Sequence, residues 1–194
     1  MRCVELTEGK LLNEEEFRKY QIGRDQKTLD GKVKRWKQIR PATYGQPLPK
    51  LMWEYVTTAD EMFIDGHFLG VVLLCAAVTE LLLADKLMVN TGMMKDEVER
   101  FSLEQMAILA QRLRIVTDLE KGTVDELRQL RNALIHANAG KLGKMARKSY
   151  GDFYEGLETE FYLSPLSDEG GIRADALKYL CFTRDLTFKF YGAQ

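Results

Sequence analysis

A chain of 194 residues, 45% apolar and 10% aromatic, is long enough for one domain with a substantial core and an extra arm, and 29% charged residues suit a soluble surface. A formal net charge of -1 excludes bulk charge as an argument for nucleic acid, so any such argument must rest on how the charge is distributed.

That distribution is uneven. From Arg24 to Arg40 seven Lys/Arg stand against two Asp, and Lys141, Lys144, Arg147 and Lys148 follow one another with no acid between them. Asp152, Glu155, Glu158 and Glu160 carry the opposite sign. The cysteines Cys3, Cys75 and Cys181 are far apart and odd in number, which points to reduced thiols in a cytoplasmic compartment. With only His67 and His136 and no CxxC, neither a structural zinc site nor another cofactor is expected. Glu5 and Glu8 interrupt the N-terminal stretch before a signal-peptide core forms. The apolar run from Phe68 to Thr79 is shorter than the roughly 20 residues a bilayer span needs, so it reads as a buried helix of a soluble protein with no membrane contact.

In chain order, Asn13-Glu14-Glu15-Glu16 has the spacing of a capping box and predicts a polar, basic helix, broken near Gly23 and Gly31 and resumed to about Arg40. Pro41, Gly45, Pro47 and Pro49 form a linker, dividing an N-terminal basic arm at 1–47 from a main domain at 48–194. A helix over about 48–64 places Leu51, Tyr55, Thr58 and Met62 on one side, and Asp65-Gly66 signals a turn. The helix over about 67–89 is apolar nearly all round and is the expected centre of the core; Asn90-Thr91-Gly92 ends it.

Ser102-Leu-Glu-Gln105 is a second capping box, opening a helix to about Ile115. Thr123-Val-Asp-Glu126 reads as a third, opening a helix to about Asn138 that stops at Gly140. Residues 141–171 predict a loop-rich excursion with a short strand pair near 153–163. The last helix, about 172–191, has Ile172, Ala176, Tyr179, Phe182, Leu186 and Phe190 at helical spacing, widened by Leu177, Leu180 and Phe188. Long helices with short connections predict an all-α, antiparallel helical bundle.

On the helix that follows Thr123, Val124, Leu127, Leu130 and Leu134 form one apolar stripe at about 100° per residue. Asn132 and His136 lie one turn apart on the opposite side, with Arg128 nearby, while Arg131 sits at the stripe's edge. A helix serving only the core has no need of that polar face. Arg131 and His136 are roughly 140° apart on an ideal helix, so their meeting requires the long Arg side chain to swing round or a neighbouring molecule to complete the geometry.

The Arg131-x4-His136 spacing with Asn132 after the Arg, within Leu127-Arg-Gln-Leu-Arg-Asn-Ala-Leu-Ile-His-Ala137, resembles the HEPN (higher eukaryotes and prokaryotes nucleotide-binding) family. The preceding apolar helix from Val71 to Leu87, with Glu80 inside it, is similar as well. The resemblance covers about residues 48–191, and its specific part is some ten residues long. It implies a HEPN-like bundle that dimerises and shares one cleft between two motifs, often a metal-independent endoribonuclease. In that chemistry the RNA 2′-hydroxyl attacks the adjacent phosphate, leaving a 2′,3′-cyclic phosphate and a 5′-hydroxyl. His136 would move protons, Arg131 would hold the phosphate and offset its developing charge, and Asn132 would orient either. The resemblance also implies a toxin or defence effector, with an antitoxin or regulatory protein as a partner. The chain departs from the toxin branch at Asn138, where that branch often has a Tyr that its antitoxin modifies.

Each residue also has a structural reading. His136 and Arg131 would hold the helix end, the first favouring the macrodipole and the second pairing with an acid. Glu80, a carboxylate in an apolar helix, would bond to another helix or position the motif Arg. Lys141, Lys144, Arg147 and Lys148 would bind RNA phosphates or form a solvated face, and Trp36 would stack on a base or anchor the arm. The competing reading of the whole is a non-catalytic module binding RNA, nucleotide or protein.

Overall fold

The computed structural model describes residues 19, 28–39, 48–136, 142, 144 and 171–192. The capping box expected at Asn13, the break near Gly23, the strand pair near 153–163 and the functional roles of Asn138, Lys141, Arg147 and Lys148 lie outside the described residues. Every described element is an α-helix, and the protein is an all-α helical bundle. Its contacts divide the chain between Arg40 and Pro41, at the start of the Pro/Gly-rich linker rather than at its end.

In the N-terminal unit, helix α1 spans 28–36 and runs through Gly31 without a break. One glycine costs a helix only about 1 kcal/mol, which a run holding Leu29, Lys32, Lys34 and Arg35 tolerates. The helix gives way at 37–38 to a turn, in which the Lys37 and Gln38 amides donate to the carbonyls of Val33 and Arg35.

The second unit holds α2 (Lys50–Asp65), α3 (Phe68–Thr91), α4 (Lys95–Val98), α5 (Leu103–Arg112), α6 (Asp118–Ile135) and α7 (Gly171–Tyr191). Helix α2 ends where Gly66 takes φ 87°, a left-handed conformation that glycine adopts without a Cβ penalty. The Gly66 and His67 amides then donate to the Phe63 and Met62 carbonyls, the double bond that closes a helix before a tight turn. The buried row of α2 is Met52, Val56, Ala59 and Phe63, one position later than the Leu51 row expected. Both rows have helical spacing; Leu51 is 48% exposed and Phe63, the bulkier anchor, is fully buried against Phe68. Burying the aromatic removes more apolar surface from water, and that selects the rotation.

Helix α3 is the axis of the core and packs against each of the other helices given above. Its 24 residues are long and apolar enough to cross a bilayer, more than the run ending at Thr79 suggests, yet half of its most apolar window is buried in the fold. Ten of its residues are buried, including Val71, Cys75, Leu82 and Leu87. Burial drives the Cys75 thiol up to about 12, as suits a small core residue.

Helix α5 begins as expected: Ser102 Oγ accepts from the Gln105 amide at 3.3 Å, and the Gln105 side chain accepts from the Ser102 amide at 2.8 Å. It stops at Arg112, because Arg114 adopts φ 58° and the Ile115 and Arg114 amides turn back to the Ala110 and Gln111 carbonyls.

Helix α6 starts six residues before the predicted place. Thr117, not Thr123, is the cap, with Glu120 closing the box. Thr123 lies inside the helix, where its hydroxyl donates to the Leu119 carbonyl. Gly122 therefore occupies a helix interior with open space where a Cβ would point. Gly122→Ala is expected to stabilise the fold by about 0.8 kcal/mol, read as a higher urea midpoint at unchanged slope. Had the helix begun at Thr123, the same substitution would bring no such gain.

Helix α7 buries Ile172, Ala176, Tyr179, Leu180, Thr183, Leu186 and Thr187. Phe188 does not widen that stripe; it is 56% exposed. Lys178 reaches Glu126 at 2.5 Å and Lys189 reaches Glu120 at 2.8 Å, fastening α7 to α6. Burial alone would raise the Glu120 carboxyl, but bonds from Lys189 and from Thr117 outweigh it and hold the group below its usual range. A depressed carboxylate stabilises above its unfolded pKa and loses that contribution as pH falls through the folded one. Glu120→Gln should therefore be less stable than the parent at pH 7, with the gap closing below about pH 4. Urea titrations at the two pH values read it directly.

Candidate active site

The polar face of α6 is assembled at its C-terminal end. Val124, Leu127, Leu130 and Ala133 are buried against the core, which turns Asn132 and His136 the other way. The helix ends at Ile135, earlier than the predicted Asn138, and His136 becomes its cap: its amide donates to the Asn132 carbonyl at 3.1 Å and its imidazole is exposed. An exposed ring at a helix end is accessible to a ligand from several directions.

Arg131 turns toward Glu80 and Asn132. Its Nη1 donates to Glu80 Oε2 at 3.1 Å, while Nε and Nη2 both donate to Asn132 Oδ1 at 3.3 Å. The guanidinium is thus clamped between a carboxylate from α3 and the amide of its own neighbour. Both readings of Glu80 hold together, since the bond that ties α3 to α6 is the bond that orients Arg131. Glu80 is only partly buried, with 40% of its side chain exposed, against 26% for Arg131. The ion pair is therefore partly screened and contributes more to direction than to stability.

A guanidinium carries five N–H donors, and three are spent here. The remaining two can meet an anion. With Asn132 Oδ1 committed to Arg131, its Nδ2 is left as a donor. The cluster offers donors to a phosphate, with the His136 imidazole one helical turn beyond Asn132.

Arg128 belongs elsewhere: it pairs with Glu104 of α5 at 3.3 Å. Its Nε is buried without a hydrogen-bond partner among the described residues. Lys144 is exposed and Leu142 buried. No three His, Cys, Asp or Glu side chains among the described residues are grouped as metal ligands.

A residue that the sequence reading passed over is Asp85 of α3, whose Oδ2 accepts from the Tyr191 hydroxyl at 2.5 Å. Like Glu80, Asp85 is a carboxylate within an apolar helix, and that pattern marks it in the sequence. Comparison with protein-family profiles, with characterised proteins and with solved structures gave no match.

Proposed function

We propose that this protein is a metal-independent endoribonuclease of HEPN type, acting as a homodimer in which two copies of the motif share one cleft. The observation that supports this most is the clamped Arg131, held by Glu80 and Asn132 with donors to spare, on the helix that presents an exposed His136. Arg131 would bind the scissile phosphate and offset the charge of the phosphorane. His136 of one copy would take the proton from the 2′-hydroxyl, and His136 of the other would give one to the departing 5′-oxygen. That division of labour is why a single motif imidazole per chain calls for two chains. The biological reading that goes with it is a cytoplasmic toxin or defence effector under an antitoxin or regulatory protein, with Lys144 contributing to the RNA-binding surface.

The test is cleavage of RNA by the purified protein in EDTA, with analysis of the product ends. Cyclic phosphate and 5′-hydroxyl ends, made by the parent and not by His136→Ala, support the reading. Equal RNA decay by the two proteins overturns it. One observation favours the non-catalytic alternative: Glu80 already offsets the charge of Arg131. In that case RNA would bind saturably and remain intact.

A further inference from the structure

On the α2 side of α3 lies an open groove of about 480 Å³, walled chiefly by Met52, Tyr55, Leu81, Ala84, Met88 and Phe101. Its volume and apolar lining are those of a small-molecule site, which needs in addition a few well-placed polar groups to orient a ligand. Three carboxylates line it, Glu80, Asp85 and Glu99, together with one ammonium, that of Lys95. Glu80 is paired with Arg131 at 3.1 Å and Glu99 with Lys95 at 3.4 Å.

Asp85 differs from both. It accepts one bond, from the Tyr191 hydroxyl, and no Lys or Arg among the described residues forms an ion pair with it. The neighbouring Lys86 does not supply one; its ammonium lies 4.5 Å from the ring centroid of Tyr191 and 5.6 Å from that of Phe190. A carboxylate accepts about four hydrogen bonds, so most of the capacity of Asp85 is open. The Tyr191 hydroxyl cannot take over as the anion, because its pKa is raised by burial and by the bond to Asp85.

We propose that the groove binds an amphipathic amine, with its apolar body along Met52, Leu81, Ala84 and Met88 and its ammonium on Asp85. A cation is the complement of the unpaired carboxylate, and a carboxylate-headed ligand would meet like charge at Asp85. The apolar wall supplies affinity and Asp85 supplies selection by charge. This inference is independent of RNA cleavage, since Arg131 keeps its partners while Asp85 is engaged.

The experiment is calorimetric titration of the full chain with n-octylamine hydrochloride, n-octanol and sodium octanoate, each below its micelle concentration. Saturable binding of octylammonium is expected, at least tenfold tighter than octanol, with no binding of octanoate. Asp85→Asn keeps an acceptor for Tyr191 and should remove the preference for the amine over the alcohol. Ala84→Trp fills the groove from another position and should abolish binding of both. Equal affinity of the parent for octylammonium and octanol, or no binding of either, overturns the proposal without reference to any variant. Undiminished amine binding by folded Asp85→Asn or Ala84→Trp overturns it as well.

Discussion

His136→Ala is expected to lower RNA cleavage by about 10²- to 10⁴-fold, the range over which a positioned proton-transfer group accelerates such a step. Because the imidazole is exposed at the cap of α6 and supports no core contact, the variant should retain the parent's urea midpoint. Arg131→Lys should also lose cleavage, by about 10²-fold, although it keeps the charge. A lysine ammonium is a point donor and cannot reach Glu80 and Asn132 with one group while presenting a fork to phosphate. A large loss in His136→Ala beside an unaffected Arg131→Lys would argue that the clamp is structural. If both variants bind RNA like the parent and neither parent nor variant cuts it, the non-catalytic reading prevails.

The second large effect lies in the core, where Arg184 of α7 pairs with Asp60 of α2. Their side chains are 12% and 21% exposed, and Asp60 Oδ1 is buried with no hydrogen-bond partner among the described residues. Burial raises the Asp60 pKa, against the hydrogen bond and charge of Arg184, which lower it. Arg184→Met strands that carboxylate and is expected to cost about 3 kcal/mol at pH 7. A folded pKa above the unfolded one means a penalty that is full at high pH and fades as pH falls through the folded value. The deficit of Arg184→Met should therefore shrink as pH falls through the folded value of Asp60. Adding Asp60→Leu should recover most of the loss, because a well-packed apolar pair of similar volume can match a buried ion pair. Urea unfolding of the single and double variants checks both the size and the recovery. A double variant as unstable as the single would show that the pair contributes more than the charge of Arg184 to the fold.

The helices were legible because their periodicity is strong. α3 reads as the core from its all-round apolarity, and Ser102 with Gln105 marks a start that local chemistry alone decides. The failures have a common physical form, two local solutions of nearly equal merit. Thr117 and Thr123 are both followed by Glu three residues later, and Glu120 and Glu126 each receive a Lys from α7, so neither box marks the start by itself. The two rows of α2 differ by one residue, and packing of Phe63 on Phe68 chooses between them. At the candidate site the sequence places Asn132 and His136 on one face but leaves Arg131 aside, because a helical wheel locates Cβ atoms and not the tip of a long side chain. The tip is fixed by Glu80, fifty-one positions earlier.

Glu80 and Asp85 are five residues apart on α3, so their side chains leave the axis roughly 140° apart. One meets α6 and the other meets α7. A single residue inserted or deleted between them would rotate one carboxylate by about 100° relative to the other and forfeit one of the two pairings. Length changes between the two should thus be rare in any lineage that retains both pairings, and differences in chain length among relatives should collect outside 80–85.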